Sequence, residues 1–331
     1  MYSPNKDSLV SYVFATYNRP SDLEEAINSV LNQDYQPIEI IIISNSTDKT
    51  SELFEDGGPF DQDRIHYYQF PGRMGVPRAR NIGYEYASGE IIVTVDDDAV
   101  IANADATDEI VSLFREHEDV GAIAFQHRNY YTNEIELDGT PDPPDFHTPP
   151  SQQYRTTNFI GVGNAIRRSI LEATGAYPDD FIYGFEEMDL SIRIHDTGYD
   201  ILYAPSILVH HKKSPEARRP STDVQERFVE NRIKIAIRNL PWRYALFTAL
   251  IWSIYGLLLT RSVSSLSRVF RRLYESKYDL LSQRSVIDRR TISRIKSRKS
   301  ILYLWWYGPH PRRIFGPNGN PRRLLWEFGN P

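Results

Sequence analysis

Three consecutive carboxylates, Asp96, Asp97 and Asp98, directly follow the apolar run Ile91–Val95. Acids that follow a buried strand so closely have little room to separate. Mg²⁺ and Mn²⁺ use few protein carboxylates and fill their remaining positions with water and phosphate oxygens. A solvated acidic turn that caps the next helix is the alternative, although such turns more commonly hold one or two aspartates. The pattern therefore indicates a site for a divalent cation and a phosphate group.

Two arginines, Arg78 and Arg80, follow Gly75 at the predicted start of a helix. The backbone N–H groups of a helix start and the guanidinium groups both favour an anion. Taken alone, the two arginines would more simply indicate a solvated helix face. Together with the three aspartates, they indicate one half of a phosphate-binding site.

A third polar group opens an amphipathic helix farther along the chain: Glu186, Glu187, Asp189 and Arg193. The helix macrodipole favours acids in a first turn even where they have no function. A carboxylate there can also serve as a general base if the helix points into a cleft, because a neighbouring carboxylate raises its pKa.

Short apolar runs alternate with helical patterns in the first 130 residues, and these elements must position the polar groups. The predicted strands are Leu9–Thr16, Ile38–Ser44, Ile65–Phe70, Ile91–Val95 and Val120–Gln126. The predicted helices are Ser21–Leu31, N-capped by Ser21, then Asp48–Phe54, Val76–Ala87 and Ala104–His117. This alternation predicts an α/β fold with a doubly wound, mostly parallel sheet, whose ligands bind beyond the carboxyl ends of the strands.

Charge is divided unevenly over the 331 residues. Residues 212–331 hold 25 Lys and Arg against 8 Asp and Glu, which leaves 13 against 36 in residues 1–211. Such asymmetry predicts two regions with different partners: a globular domain over residues 1–215 and a basic, helical region over residues 216–331. The chain has no cysteine, which excludes disulfide scaffolds, zinc–thiolate sites, iron–sulfur clusters and cysteine nucleophiles. Its first residues do not read as a secretory signal.

The basic region contains a run of 17 residues without a charge, Tyr244–Thr260, between Arg243 and Arg261. This is short for a membrane span, which needs about 20 residues. Both flanks are basic, which opposes a span under the positive-inside tendency. An in-plane or re-entrant membrane helix, a true span and a buried core helix are the three interpretations.

The residues beyond this run favour a membrane surface. Ser262–Ser300 interleaves Arg and Lys with apolar residues at helical spacing, the pattern of a surface-lying amphipathic helix. Aromatic residues that favour the membrane interface follow at Trp305, Trp306, Tyr307 and Trp326. We therefore predict that the region associates with an anionic membrane surface.

The chain carries, in order, the motifs Val13–Pro20, Ser44–Asp48, Gly75 with Ala79–Asn81, Asp96–Asp98, Gly163-Asn164 with Arg167-Arg168, Glu186–Leu190 with Arg193, and His210. Taken together, these motifs resemble those of family 2 glycosyltransferases with a GT-A fold. The resemblance covers roughly residues 8–211, so it implies that residues 1–215 are a GT-A catalytic domain. It also implies a nucleotide-sugar donor and an inverting displacement at the anomeric carbon.

The resemblance implies a role for each matching residue. Glu187 is the catalytic base, with Glu186 as its substitute. The metal ligands for Mn²⁺ or Mg²⁺ are Asp98, Asp96 and His210. The acceptor-binding residues are Gly163, Asn164, Glu186 and Arg193. The donor-binding residues are Thr16, Tyr17, Asn18, Arg19, Ser44, Asn45, Asp48, Gly75, Arg78, Arg80, Asn81, Asp96 and Asp97.

Two departures from the family pattern bear on specificity. The turn Ser44–Asp48 lacks the paired aspartate that binds uracil in many members, which leaves the donor nucleotide open. The Gln-x-x-Arg-Trp motif of the processive synthases is also missing, which predicts transfer of one sugar per acceptor.

The predicted function is transfer of a sugar to a saccharide on a polyprenyl or dolichyl phosphate, at the cytoplasmic face of the cell membrane. The acid excess is similar to that of haloarchaeal enzymes that assemble surface-layer N-glycans. The alternatives are a nucleotidyltransferase or a degenerate scaffold on the same fold, and a nucleic-acid-binding protein that uses the basic region. We expect no nucleic-acid partner, because no finger, basic zipper or ribonucleoprotein motif is present.

Overall fold

The β-branched runs of the N-terminal third form the parallel half of a nine-stranded sheet in a computed structural model. This model describes residues 7–72, 74–136, 140–141, 150–213 and 221–298. Its first four strands are β1 (Val10–Thr16), β2 (Ile38–Ser44), β3 (Ile65–Gln69) and β4 (Ile91–Val95). They lie in the order β3-β2-β1-β4, and all three pairings are parallel.

The remaining strands make the sheet mixed rather than mostly parallel. They are β5 (Ala99–Ile101), β6 (Val120–Asn129), β7 (Tyr154–Thr156), β8 (Gly163–Arg167) and β9 (Asp200–His211). β8 lies antiparallel between β4 and β6, β6 pairs in parallel with β9, and β5 and β7 pair antiparallel with β9. The α/β prediction is confirmed, but the short antiparallel strands interrupt the parallel order.

Helices pack on this sheet and cover its two apolar cores. They are α1 (Pro20–Leu31), α2 (Val76–Tyr86), α3 (Ala106–Glu116), α4 (Arg168–Thr174) and α5 (Glu186–Asp196), with a 3₁₀ helix at Lys49–Phe54. The predicted N-cap Ser21 is wrong, because α1 begins at Pro20 and Arg19 holds the cap position without a side-chain hydrogen bond. Proline suits a first helical position, where its missing N–H would have no partner.

The chain divides into two compact units. The first comprises Met1–Ile182 and Leu190–Ala217, and the second comprises Tyr183–Asp189 and Arg218–Pro331. The division after residue 217 lies near the predicted boundary, but the short segment Tyr183–Asp189 belongs to the second unit. The functional labels given to the two regions stay predictions.

The second unit is helical around a small apolar core. Its helices are α6 (Ser221–Asn239), α7 (Trp242–Thr260), α8 (Val263–Glu275), α9 (Lys277–Ser282) and α10 (Arg289–Arg298). Its core residues are Val229, Ile233, Trp252, Val269, Leu273 and Leu280. The predicted interfacial aromatics Trp305, Trp306, Tyr307 and Trp326 lie outside the described residues.

Candidate active site

The three aspartates lie at the carboxyl end of β4, in the middle of the sheet. The side chains of Asp97 and Asp98 are buried, whereas Asp96 is half-buried. Thr16, at the carboxyl end of the neighbouring strand β1, donates its hydroxyl to Asp97 Oδ2 at 2.8 Å. The parallel pairing of β1 and β4 brings these two strand ends to the same edge, as the sequence predicted for ligand-binding turns.

Arg19 compensates part of the charge of the aspartates. Its Nη1 lies 2.9 Å from Asp97 Oδ1 and 3.4 Å from Asp98 Oδ2. Burial nevertheless raises the pKa of Asp97 to about 7, because desolvation of the carboxylate outweighs the opposite effect of Arg19. Asp97 is therefore held by Thr16 and Arg19 within the protein, and Asp96 and Asp98 are the better placed of the three to meet a ligand.

The predicted phosphate-binding arginines separate in the structure. Arg80 is buried, and its Nη2 lies 2.6 Å from Asp96 Oδ1 and 3.0 Å from the carbonyl oxygen of Gly161. Arg78 lies on the exposed side of α2, whose N-cap is Gly75. The structure therefore brings Arg80 to the aspartates, and Arg78 stays accessible at the helix start.

A histidine completes the acidic cluster. His211 Nε2 lies 3.5 Å from Asp98 Oδ1, and its Nδ1 lies 3.5 Å from Glu136 Oε2. Burial would lower the pKa of His211, but Asp98 and Glu136 together raise it to about 9. The imidazole thus lies between two carboxylates and connects the cluster to the end of β9.

The sequence predicted His210 as a metal ligand, whereas the structure places the neighbouring His211 beside Asp98. β5 pairs with β9 so that Ala99 lies opposite His211 and Val100 opposite His210. Because side chains alternate along a strand, the two histidines point to opposite sides of β9, and Asp98, which lies in the turn before β5, reaches the side of His211. His211 faces Asp98, and His210 lies edge-on to Tyr130, with a ring separation of 6.5 Å.

The donor set fits a divalent cation. Asp96, Asp98 and His211 each offer a ligand atom within 4.8 Å of the others. Two carboxylate oxygens and an imidazole nitrogen suit Mn²⁺ or a similar ion, which would fill its other positions with water and phosphate oxygens.

His211→Ala is expected to weaken Mn²⁺ binding at least tenfold, because it removes one of the three candidate ligands. His210→Ala changes the neighbouring residue of the same strand and is expected to alter Mn²⁺ affinity less than twofold. Electron paramagnetic resonance titration of free Mn²⁺ in the presence of UDP or GDP measures both. Equal losses in the two variants would contradict the assignment of His211.

The predicted donor-binding loops support one another through hydrogen bonds. Asn18 has a left-handed backbone (φ 55°), and it accepts from the Thr47 backbone N–H at 2.7 Å while its own N–H donates to Ser46 Oγ at 2.8 Å. These bonds join the turn after β1 to the turn after β2. The turns therefore form one surface beside the aspartates, and Tyr17 is half-buried in it.

The other predicted residues of the second turn have internal roles. Ser44 is buried and its Oγ accepts from the Ser46 N–H at 3.1 Å. Asn45 is buried and donates to the carbonyl oxygen of Gly72 at 2.9 Å. Asp48 caps the 3₁₀ helix, since its Oδ1 accepts from the Thr50 N–H at 3.1 Å. Among these three residues, the exposed Asp48 is the most accessible to a nucleotide base.

Three other predicted substrate contacts are occupied by the protein itself. Asn81 is buried and donates to the Tyr177 carbonyl oxygen at 2.8 Å. Arg193 donates to the carbonyl oxygens of Thr174 and Ala176 at 2.5 and 2.7 Å. Asn164 is fully buried in β8 and donates to the Ile160 carbonyl oxygen at 3.2 Å. This geometry favours structural roles for all three.

Gly163 also lies inside the sheet rather than at an open surface. A Cβ atom at this position would lie 2.9 Å from the ring of Phe125 and 3.0 Å from Val209. The glycine therefore permits β8 to pack beside its neighbours, and it offers a ligand little beyond its backbone.

The acid pair lies in the second unit, at the start of α5. Glu186 is buried with an exposure of 3%, and Glu187 is half-buried. Asp189 is buried and accepts a hydrogen bond from Asn239 Nδ2 at 2.7 Å. Of the two glutamates, Glu187 is the more exposed.

Comparison with known proteins shows similarity to glycosyltransferases. Residues 11–175 match the glycosyl transferase family 2 model. The match supports a family 2 glycosyltransferase and includes the turns of β1 and β2, the aspartates and the predicted residues of β8. A mannosyltransferase from Pyrobaculum calidifontis, solved with GDP-Man and Mn²⁺, has a TM-score of 0.53 at 18% identity, over 91% of this chain and 87% of that one. This likeness shows the fold, which is consistent with GT-A.

Two curated relatives are similar to parts of the chain. An uncharacterized glycosyltransferase of Haemophilus influenzae is 35% identical over 130 residues, which cover 39% of this chain and about half (49%) of that relative. A glucosyl-dolichyl phosphate glucuronosyltransferase of Haloferax volcanii is 24% identical over 228 residues, which cover 61% of this chain and 69% of that protein.

Proposed function

We propose that the chain transfers one sugar, with inversion, from a nucleotide-sugar donor to a lipid-linked saccharide acceptor. The observation that carries this proposal is the cluster of Asp96, Asp98 and His211 at the carboxyl end of β4. The cluster contacts Arg19 and Arg80. It lies beside the turns after β1 and β2, at the edge where ligands of α/β sheets bind. The family 2 match supports the transfer of a sugar in particular.

Residues of the first unit hold the donor in this proposal. Asp96, Asp98 and His211 would hold a divalent cation, which neutralises charge on a departing diphosphate. Arg80 and the accessible Arg78 supply guanidinium groups for phosphate oxygens. Tyr17, Asn18 and Asp48 lie at the turns that would contact the nucleoside. Arg19 keeps Asp97 and Asp98 in place through its two ion pairs.

The acceptor side of the proposal rests on Glu187. An inverting transfer needs a base that removes the proton of the acceptor hydroxyl, and a carboxylate at a helix start can serve. Glu186, which is buried, is the substitute for Glu187 as the base in this proposal. The Haloferax volcanii relative, whose name includes a dolichyl phosphate, supports a lipid-linked acceptor, and we extend to this chain the prediction of a part in surface-layer glycan assembly.

The direct test is an assay of the full chain with UDP-glucose, UDP-N-acetylglucosamine and GDP-mannose. Each donor is combined with Mn²⁺ or Mg²⁺ and with dolichyl phosphate, undecaprenyl phosphate or their monosaccharide derivatives. We expect one sugar to be added to one acceptor and the activity to disappear with EDTA. Transfer of a nucleotidyl group, a product ladder, or no reaction with any pair would each contradict the proposal.

The exposed face of α7 supports attachment to a membrane. Leu246, Leu250, Ile254 and Leu258 recur every four residues on one face, and their exposures range from 54% to 68%. The opposite face is buried, with Gly256 against Val229 of α6. Because solvent-exposed apolar stripes of this length are uncommon on soluble monomers, this face favours a lipid partner over a fully buried core helix.

We propose that α7 lies in the plane of an anionic leaflet instead of crossing it. α6 packs along α7 and carries buried charges, such as Glu230 with Lys234 at 2.8 Å and with Arg272 at 2.6 Å. A crossing would carry these charges into hydrocarbon or separate the two helices, and charges are costly there. Arg243 and Arg261 at the two ends of α7 suit anionic headgroups.

The double variant Leu250→Glu with Ile254→Glu is expected to lower binding of the full chain to phosphatidylglycerol vesicles at least a hundredfold. Each substitution forfeits burial worth about 1.5–3 kcal/mol, and each 1.4 kcal/mol is about a tenfold change. The control is Gln152→Glu with Gln153→Glu, which adds the same charge at exposed positions of the first unit. Vesicle flotation measures binding, and equal losses in both double variants would contradict the α7 surface.

A further inference from the structure

The acid pair follows a backbone turn that an L side chain rarely adopts. Gly184 has φ 89° and Phe185 has φ 67°, both in the left-handed region. α5 begins at the next residue, and the N–H groups of Met188 and Asp189 donate to the Phe185 carbonyl oxygen at 3.1 and 3.2 Å. A strained turn of this kind persists only where surrounding contacts hold it. The orientation of Glu186 and Glu187 therefore depends on whatever fixes Gly184 and Phe185.

A buried asparagine of α6 holds the carbonyl groups of this turn. Asn231 is 1% exposed, and its Nδ2 donates to the Tyr183 carbonyl oxygen at 3.0 Å and to the Gly184 carbonyl oxygen at 2.8 Å. An amide nitrogen has two hydrogens, so both bonds form together. The contact is with backbone, and it does not depend on which side chains occupy the turn.

Aromatic side chains of α6 and α7 close the turn from another side. The Phe228 ring would lie 2.3 Å from a Cβ atom at position 184, so only glycine fits beneath it. The ring centroid of Phe185 lies 5.1 Å from that of Phe228 and, edge-on, 5.5 Å from that of Trp252. These contacts hold the Phe185 side chain in place despite its left-handed backbone.

Residues on one face of α6 thus contact the segment Tyr183–Asp189 along its length. Phe228 and Asn231 are three residues apart, and Asn239, which binds Asp189, lies eleven residues, or about three turns, after Phe228. We infer that Asn231 is a positioning residue for Glu187, and that α6 has a part in sugar transfer beyond any contact with a membrane. This inference rests on the proposed function, because it takes Glu187 as the base.

The test compares Asn231→Ala and Asn231→Asp with Val269→Ala in the full chain. The aspartate keeps the shape of asparagine but lacks the N–H donors. Val269 is a buried core residue of α8, so its truncation loosens the same unit through a different helix. The rate of hydrogen exchange at the Met188 and Asp189 amides measures how firmly the turn is held, and it needs no substrate. Transfer is measured with the donor and acceptor pair found above, and nucleotide binding with UDP or GDP plus Mn²⁺.

Both Asn231 variants are expected to speed exchange of the two amides at least tenfold and to lower kcat by about 10- to 100-fold, as a displaced catalytic group does. Nucleotide affinity should change less than twofold, and Val269→Ala should speed exchange at these amides less than either Asn231 variant does. The inference would be overturned by a near-wild-type kcat in Asn231→Asp. It would also be overturned if Val269→Ala sped exchange of the two amides as much as the Asn231 variants do. If exchange changes as expected but the wild-type chain transfers no sugar, the proposed function fails and the positioning of the turn stands.

Discussion

Asp98→Asn is expected to lower sugar transfer by about a thousandfold or more while the protein stays folded. The substitution keeps the shape of the side chain but removes the charge that lies 3.4 Å from Arg19 and 3.5 Å from His211. Asp98 is one of the three clustered groups, among the residues that the structure describes, that could hold a cation. Stabilisation of a leaving group by such a cation is worth several kcal/mol, at about 1.4 kcal/mol per factor of ten. Initial rates at saturating donor and Mn²⁺ measure the loss.

Asp200→Asn is the matched control for Asp98. Asp200 also faces a histidine and an arginine, with His195 Nδ1 at 3.9 Å and Arg155 Nε at 4.0 Å. Asp200 is the first residue of β9 and His211 is the last, so the control removes a similar carboxylate at the opposite end of that strand. We expect Asp200→Asn to retain transfer within about fivefold. If Asp98→Asn is as active as Asp200→Asn, the cluster does not serve the reaction.

The strands that bury both faces could be predicted from sequence, and the short strands could not. Ile38–Ser44 and Ile91–Val95 are β-branched runs, and their observed bounds equal the predicted ones. β5 has three residues and β8 has five, and each gains its pairing from chain segments far away in sequence. Such pairing depends on tertiary contacts more than on intrinsic propensity. The sequence alone therefore could not predict that the sheet mixes parallel and antiparallel strands.

The same limit applies to the candidate site. The position of Asp96–Asp98 at a strand end follows from the apolar run before them. The choice between His210 and His211 depends on how the turn that holds Asp98 meets the end of β9, more than one hundred residues later in the chain. No local signal in the sequence reports that contact. The link between Asn231 and the turn at Gly184 likewise joins residues 47 apart.

Glu187→Gln is expected to lower kcat by about 10²- to 10⁴-fold, the usual contribution of a general base. Glutamine keeps the size of the side chain and cannot accept the proton of the acceptor hydroxyl. Affinity for UDP or GDP with Mn²⁺ should stay within twofold, because the proposed donor residues lie in the first unit. The rise of kcat with pH, which the ionisation of a base produces, should flatten in the variant. Steady-state rates across pH and nucleotide titrations measure both quantities.

Glu186→Gln is the companion variant, since it makes the same change one residue earlier on α5. Glu186 is 3% exposed and Glu187 is half-buried, so Glu187 is the more accessible of the two carboxylates. We expect Glu186→Gln to lower kcat less than Glu187→Gln and to keep the rise of kcat with pH. If the pH dependence flattens in Glu186→Gln and persists in Glu187→Gln, the base is Glu186, and burial rather than access decides which carboxylate takes the proton.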